Sequence, residues 1–373
     1  MSDRADNRVD NRADNRIRVL HAVKTLGLGG TEKVMQLLVQ HLDPQRFETA
    51  VHSPEDGPRA EQVRQVGAKT YVGMELDRAL GAFSPEVVHV HRAGWPEPEL
   101  LRPVRDYVAA HPATVVVETN VFGRHDPSPS GRVIDCHLFV SNFCAQRFTR
   151  QTGIPVRWPE HGVLYNPVDT DFFASALPNG PSFDAPVAGR ISRPDPGKWS
   201  ALALAILPLL ARSVPDFSCR VIGGIAEAEA YVRQHGLEAV VEFLPPVSSD
   251  AELAAFYGGL SVLAHANDTG ESFGLVIAEA MACGLPVVTH PAVGERDNAQ
   301  LELVDHGVTG LVAENAEQYA QAVAWLFANP AEARRMGQAG REKAQQLFRA
   351  QDIGARLGGM YLDLLARKGR GAA

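Results

Sequence analysis

The hydrophobic positions of the chain fall into two series of short apolar runs, separated by longer segments with apolar residues at helical spacing. Short runs rich in Val and Ile are typical of buried strands, and the longer segments are typical of amphipathic helices. The strands predicted in the first series are residues 18–23, 48–52, 86–91, 114–119 and 137–140. The strands predicted in the second series are residues 186–190, 218–223, 240–244, 261–266, 286–290 and 310–313.

Strands that alternate with helices favour parallel sheets covered by helices on both faces. Two such series predict an α/β fold of two Rossmann-like, doubly wound parallel-sheet domains that face each other across a cleft. The first domain is predicted over residues 17–180 and the second over residues 181–352. A segment rich in Pro, Asn and Gly at residues 177–186 is the expected linker between them.

The two ends of the chain differ from these domains. Residues 1–16 repeat an Asp-Asn-Arg unit with few apolar residues, so a disordered polar tail is expected there. Residues 353–373 begin with an amphipathic helix at 353–365, and that helix needs a surface on which to bury its apolar side.

Composition and net charge exclude several classes of function. The 373 residues are 45% hydrophobic and 21% charged, which is typical of a globular protein of about two domains. A net charge of −8 argues against a nucleic-acid partner. The polar start indicates no secretory signal, and the longest apolar run, residues 201–211, is too short for a membrane span. The four cysteines show no CxxC spacing, so we expect neither zinc nor disulfides, and a cytoplasmic protein.

Ligands of such sheets bind at the carboxyl ends of strands. The first predicted strand is followed by Gly29 and Gly30 at the start of a helix predicted over residues 33–42. Glycines there let backbone amides approach an anion, although the dinucleotide fingerprint fails because Glu32 replaces its third glycine. A plain glycine turn, with Thr31 or Glu32 complementing the helix dipole, is the alternative.

The second domain offers two cations at an equivalent place. Arg190 ends its first predicted strand, and Lys198 opens the helix that follows. Gly189 and Gly197 are too far apart for a phosphate-binding P-loop. Arg190 and Lys198 could still reach one polyphosphate, although Lys198 could equally be a solvated surface residue.

Residues 270–288 combine two glutamates with an apolar helix, predicted over residues 275–283 and ended by Gly284. Glu271 precedes this helix, and Glu279 lies about one turn inside it. A nucleotide sugar would use both: Glu279 accepts hydrogen bonds from ribose hydroxyls, Glu271 accepts from hexose hydroxyls, and the amides that begin the helix face the diphosphate. The alternative, that acids merely favour a helix N-terminus, explains Glu271 but not Glu279.

With these motifs the chain resembles the family-4 glycosyltransferases of GT-B fold from about residue 17 to its end. The segment ESFGLVIAEAMACGLPVV carries the family's E-x7-E pattern, GR…K matches its phosphate pair, GG its N-terminal loop, and DHGVTGLVA its late strand. The resemblance implies that the second domain binds the donor and the first the acceptor, and that the last helix crosses back to the first domain. It also implies transfer with retention of configuration and without a metal. Arg190, Lys198 and Glu271 would be catalytic, with the two cations stabilising charge on the leaving diphosphate.

Three features depart from the family. The spacing between Arg190 and Lys198 is longer than usual, and Trp199 replaces a common glycine. Asn120 stands where the family often has a histidine that contacts the donor sugar, and the loop at residues 293–302 is longer than the family's. The expected donor-binding residues are Gly29, Gly30, Asn120, Arg190, Lys198, Glu271, Ser272, Phe273, Gly274, Leu275 and Glu279.

His89 and His91 lie on one face of a predicted strand and could form half of a metal site. The sequence names no carboxylate or cysteine to complete it, so we expect no metal there. His91, nearer the carboxyl end of the strand, is the candidate on the acceptor side.

The expected function is therefore a retaining hexosyltransferase that needs no cofactor. Its donor would be a nucleotide diphosphate sugar, with UDP or GDP as the nucleotide, and its acceptor a glycan, a glycolipid or a small molecule. Peripheral contact with the inner face of the membrane and the oligomeric state are left open. A sugar-nucleotide epimerase of related fold and a sugar-nucleotide sensor without catalysis are the alternatives.

Overall fold

A computed structural model describes residues 15–371, and within them the strands form two parallel sheets. The first sheet contains β1 (Ile17–Ala22), β2 (Phe47–Ser53), β3 (Lys69–Val72), β4 (Val87–Arg92), β5 (Val115–Asn120), β6 (Cys136–Phe139) and β7 (His161–Val163). The second contains β8 (Val187–Ile191), β9 (Ser218–Ile222), β10 (Val241–Leu244), β11 (Val262–Ala264), β12 (Val287–Thr289) and β13 (Gly310–Val312). Most of the predicted tail, residues 1–14, lies outside the described residues.

The strand order is β3-β2-β1-β4-β5-β6-β7 in the first sheet and β10-β9-β8-β11-β12-β13 in the second. In both sheets the chain winds outward from a central strand in one direction and then in the other. This order places a switch point beside β1 in the first sheet and beside β8 in the second, where crevices for ligands form. The prediction of two doubly wound α/β domains is confirmed.

The helices cover both faces of each sheet. The first domain has α1 (Gly30–His41), α2 (Arg59–Gln65), α3 (Leu76–Phe83), α4 (Pro98–Ala110), α5 (Asn142–Thr152) and α6 (Thr170–Ala176). The second has α7 (Ala201–Ser213), α8 (Ala226–Gln234), α9 (Asp250–Gly258), α10 (Leu275–Ala282), α11 (Gln300–Leu303), α12 (Ala316–Ala328) and α13 (Pro330–Phe348), and α14 (Ala350–Gly371) ends the chain. Among the described helices, none is both long and apolar enough to cross a bilayer.

Two strands of the first sheet were not predicted. β3 and β7 lie at the two edges of that sheet, and neither contains a buried residue. Edge strands are short and polar in many proteins because this discourages pairing with other chains. Such strands leave no apolar run, so hydrophobic pattern alone does not detect them.

The last helix packs on the first sheet although it follows the second domain in sequence. Leu357 and Tyr361 of α14 lie in the same core as Val19 and Val87. At the periphery of this contact, the Asp363 carboxylate accepts a hydrogen bond of 2.6 Å from Trp158 Nε1. The helix therefore ties the end of the chain to the first domain.

Candidate functional site

Glu271 forms the centre of a polar cluster at the carboxyl edge of the second sheet. Both of its carboxylate oxygens lie 3.0 Å from Lys198 Nζ. Asn267 Nδ2 donates to the same carboxylate at 2.7 Å, and His265 Nε2 lies 3.2 Å from it. Its backbone amide donates to Gln300 Oε1 at 3.0 Å. Three side chains therefore hold the carboxylate, and Gln300 holds the backbone of the same residue.

The electrostatics of this cluster keep Glu271 charged. Burial would raise the pKa of its carboxyl, but the hydrogen bond with His265 and the positive charge of Lys198 lower the pKa to about 2. The Glu271 side chain is 16% exposed and that of Lys198 is 24% exposed, so a ligand can reach both groups. The sequence-predicted pair of Lys198 and Glu271 thus lies together at the cleft.

Arg190 contacts the segment that carries Lys198. Its guanidinium lies 4.0 Å from the centre of the Trp199 ring. Nη1 donates to Ser192 Oγ at 3.2 Å, Nη2 donates to the backbone carbonyl of Lys198, and Nε has no hydrogen-bond partner among the described residues. Burial lowers the pKa of Arg190 to about 10, so the guanidinium is positive at neutral pH. Arg190 therefore supports the Lys198 segment, and its direct contact with phosphate stays a prediction.

Helix α10 begins and ends as the sequence predicts. Gly274 is its N-cap, and Gly284, just past its end, has a φ of 79°. Ser272 is half-buried, whereas Phe273 is buried and its ring packs edge-on against Phe348 at 5.1 Å. The Phe273 side chain is therefore part of the core, and only its main chain can meet a donor at this position.

Glu279 lies in the first turns of α10 and faces the other domain. Its Oε1 atom accepts a bond of 2.6 Å from Lys33 Nζ, and its Oε2 lies 3.4 Å from the Tyr257 hydroxyl. Lys33 also contacts Asp250 Oδ1 at 2.6 Å. Glu279 is therefore an interdomain ion-pair partner in this structure.

The glycine loop of the first domain reaches the same region. A Cβ atom on Gly30 would lie 3.1 Å from Leu275 Cδ1, so the start of α1 approaches the start of α10 closely. Gly29 is the N-cap of α1, and the carboxylate of Glu32 lies beside it and accepts from Thr25 Oγ1 at 3.0 Å. This acid complements the helix dipole, as the alternative interpretation expects, and the anion-binding role of Gly29 and Gly30 stays a prediction.

Comparisons with known proteins identify the family of the second domain. Residues 181–343 match the family described as "Glycosyl transferases group 1". The second domain belongs to this glycosyltransferase family. The resemblance drawn from residues 270–288, which lie inside this group 1 domain, is thereby confirmed.

Two relatives of the group 1 domain have informative names. The chain is 33% identical over 245 residues to the GDP-mannose-dependent alpha-(1-6)-phosphatidylinositol monomannoside mannosyltransferase of Mycolicibacterium smegmatis, covering 61% of this chain and 62% of that protein. It is 32% identical over 176 residues to the D-inositol 3-phosphate glycosyltransferase of Kribbella flavida, covering 43% of this chain and 40% of that protein. The matches thus span less than two thirds of either relative.

The whole architecture has solved counterparts. Anabaena HepE, solved in complex with UDP and glucose, superposes with a TM-score of 0.73 at 18% identity, covering 93% of this chain and 100% of that one. A glycosyltransferase from Rickettsia africae superposes with a TM-score of 0.74 at 16% identity, covering 94% and 99% of the two chains. The GT-B fold is therefore confirmed.

Asn120 lies outside the cluster formed by the group 1 domain. Its amide nitrogen donates to the Arg124 carbonyl at 2.8 Å, and its amide oxygen accepts from the Arg124 backbone amide at 3.1 Å. The side chain is buried and closes the turn that follows β5. Its contact with a donor sugar stays a prediction, which would require this turn to open.

His91 belongs to a buried histidine cluster that includes His21, a member that the sequence pattern did not identify. His21 Nδ1 lies 3.0 Å from His91 Nε2, while His89 bonds the Tyr361 and Thr119 hydroxyls at 2.5 and 2.8 Å. Burial lowers the pKa of His21 to about 3 and those of the other two well below their usual value. These contacts hold the three rings as neutral core groups, and an acceptor role for His91 stays a prediction.

Three residues beside the two glutamates were not predicted from the sequence: Lys33, which contacts both Glu279 and Asp250, Asp250 itself, and His265. His265 directly follows β11 and points at Glu271, so its place at a strand's carboxyl end was an available signal. Nothing local marks Lys33 as a partner of the group 1 domain, because the contact joins residues from separate domains.

Proposed function

We propose that the protein is a retaining glycosyltransferase that moves a hexose-type sugar from a nucleotide diphosphate sugar to an acceptor hydroxyl without a catalytic metal. The observation that carries the proposal is the pairing of Lys198 with Glu271 at the switch point of the second sheet. A cation and an acid fixed side by side suit a donor that has a diphosphate beside a polyhydroxyl ring.

In this proposal each half of the donor meets a different group. The Lys198 ammonium moves from Glu271 toward the diphosphate or is shared between them, and the Glu271 carboxylate accepts hydroxyls of the hexose. Glu279 accepts the ribose hydroxyls through Oε2, since Oε1 is taken by Lys33. Arg190 holds the Lys198 segment and adds positive charge behind the diphosphate. The first domain binds the acceptor.

Catalysis then depends on charge that develops as the bond between the sugar and the diphosphate breaks. Positive groups near the leaving oxygens stabilise the transition state more than the bound donor, and this lowers the barrier. The departing diphosphate takes the acceptor's proton on the same face of the sugar. The sugar therefore keeps its anomeric configuration.

A panel of UDP-, GDP- and ADP-sugars tests the proposal. We expect one donor class to release its nucleotide when an acceptor extract is added, and the product to keep the donor's anomeric configuration by NMR. A sensor would instead gain about 2.7 kcal/mol of stability at a hundredfold excess of ligand over Kd without any turnover. Inversion of the anomeric configuration would contradict the retaining mechanism. A nucleotide sugar whose sugar is converted to its epimer while it stays attached to the nucleotide would favour the epimerase.

A further inference from the structure

Two aromatic side chains lie together at the carboxyl edge of the first sheet. Trp95 follows β4 and Phe122 follows β5, and these two strands are neighbours. The ring centroids are 5.6 Å apart and the ring planes differ by 11°. Trp95 remains 48% exposed despite this stacking, so the pair, called here the aromatic platform, offers open ring surface on the domain opposite the Lys198–Glu271 pair.

A buried ion cluster holds the loop that carries Trp95 in place. Arg92 Nη1 donates to the Trp95 carbonyl at 2.6 Å. The same guanidinium lies 2.5 Å from Glu118 and 3.1 Å from Asp126, and all three of these side chains are at most 1% exposed. Burying a cation with two acids is costly unless the arrangement is tightly held. Here the arrangement binds the loop of Trp95 to the strand and turn that carry Phe122.

A close backbone approach locks the two loops to each other. Gly94, just before Trp95, has a φ of 97°, and a Cβ there would lie 2.3 Å from Asn120 Oδ1. Asn120 in turn closes the turn from Phe122 to Arg124. Contacts within the protein therefore hold both platform loops in place, which reduces the entropy lost when a ligand binds.

The platform is connected to the donor side of the cleft by a short chain of contacts. The Phe122 carbonyl accepts from Arg147 Nη1 at 3.1 Å, and Arg147 forms an ion pair with Asp297 of the second domain. The Asp297 amide donates to the Thr269 carbonyl at 3.1 Å, two residues before Glu271. The platform thus lies on the acceptor side of the cleft, across from the donor loop.

From this placement we infer that the aromatic platform binds the acceptor, and that the acceptor presents a pyranose or cyclitol ring to Trp95. The inference rests on the proposed transferase function and adds the chemical class of the acceptor. The face of an indole is electron-rich and attracts the C–H groups on one face of such a ring, while the ring hydroxyls point outward from its edge. A linear polyol has no such flat apolar face.

Glu97 supplies a polar partner beside the platform. It is half-buried, two residues after Trp95, and no described residue donates a hydrogen bond to its carboxylate. Burial raises the pKa of Glu97, and the charges of Arg92 and Lys24 oppose that rise. The carboxylate accepts a ring hydroxyl at the edge of the stacked acceptor, as few, well-placed polar groups do in ligand sites.

Substitution of Trp95 tests the inference with methyl α-mannopyranoside and myo-inositol as ring acceptors and glycerol as a linear one. We expect Trp95→Ala to raise KM for the ring acceptors by about tenfold or more, a typical effect of losing an aromatic stacking surface. The glycerol KM and the donor Kd should change less than about twofold. Trp95→Phe should retain most of the affinity for the ring acceptors. Trp325 is an exposed tryptophan on α12, and Trp325→Ala should leave the KM of every acceptor unchanged.

An unchanged ring-acceptor KM in Trp95→Ala would overturn the platform, as would an equal loss for glycerol or for the donor. Saturation-transfer NMR with methyl α-mannopyranoside separates this inference from the proposed function, because it detects ring binding without turnover. Signal that is lost in Trp95→Ala supports the platform even if no nucleotide sugar is consumed. Absence of signal with the wild type would overturn it even if transfer occurs.

Discussion

Lys33 Nζ in the first turn of α1 lies 2.6 Å from Glu279 Oε1 on α10, and this ion pair is one of those that join the two domains. The Lys33 side chain is 13% exposed and that of Glu279 is 5% exposed. Burial would lower the pKa of Lys33, but the charges of Glu279 and Asp250 raise it, and the lysine stays positive at neutral pH. The first domain, which is proposed to bind the acceptor, thus holds Glu279, which is proposed to bind the ribose of the donor.

Lys33→Met should lower the free energy of unfolding by about 2–4 kcal/mol, because it leaves the Glu279 carboxylate buried without its cation. Urea denaturation measures this change. Lys69 makes a matched control, since it lies 2.7 Å from Glu48 but is 59% exposed. Lys69→Met should cost less than about 1 kcal/mol. Equal losses in the two variants would show that the Lys33 pair is no stronger than a surface pair.

A double-mutant cycle isolates the interaction between the domains. Lys33→Met combined with Glu279→Gln should destabilise by less than the sum of the single changes, with a coupling energy of about 0.5–3 kcal/mol. Fully additive effects would mean that the contact of 2.6 Å contributes nothing of its own.

Removal of either cation near the donor should slow transfer. Arg190→Ala and Lys198→Ala should each lower kcat/KM by about 10²–10³, a typical result of losing a group that stabilises a leaving oxyanion. Steady-state rates on the donor found in the panel measure the change. Arg193→Ala removes an exposed arginine of the same loop and should leave the rate within about twofold. Losses below about fivefold in both cation variants would remove their catalytic assignment.

The stability that Glu271 contributes to the fold should decrease as the pH falls below 4.5. Its folded-state pKa of about 2 lies below the ordinary value of 4.5. The ionised carboxylate therefore stabilises the fold fully above pH 4.5, and this contribution is lost as the pH falls toward 2. Glu271→Gln should cost about 1–3 kcal/mol at neutral pH, because Lys198 and Asn267 lose a charged acceptor.

The difference in unfolding free energy between wild type and Glu271→Gln should shrink as the pH falls from 4.5, while remaining constant above it. Chemical denaturation at a series of pH values measures it. Glu314→Gln, at an exposed glutamate, should show almost no difference at any pH. A difference that grows on acidification would contradict the low pKa of Glu271.

Transfer should continue after metal removal, because the proposed positive charges are those of Arg190 and Lys198. Dialysis against EDTA followed by rate measurement should leave kcat within about twofold of the untreated enzyme. Recovery of a lost rate by one added divalent cation would contradict the metal-independent mechanism.

The local parts of the site were predictable from sequence. Glu271, Glu279 and the helix ended by Gly284 lie within one segment, so periodicity and helix signals place them correctly. Lys33 could not be paired with Glu279 in this way, because no local signal reports how two domains meet. Asn120 was assigned to the donor because it stands where the resembled family often has a histidine. In the structure its amide closes a local turn with the Arg124 backbone, and its contact with a donor stays a prediction.

The placement of Tyr361 on the first sheet has a consequence for synthesis of the chain. β4 and its His89 leave the ribosome long before α14 exists, yet the Tyr361 hydroxyl bonds His89 and its ring packs on Phe47. The part of the first sheet that α14 covers therefore faces water until residues 350–371 have been made. The first domain is therefore translated first, but its core is completed only when the last helix has been made. A fragment that stops before residue 350 lacks part of the core of the first domain.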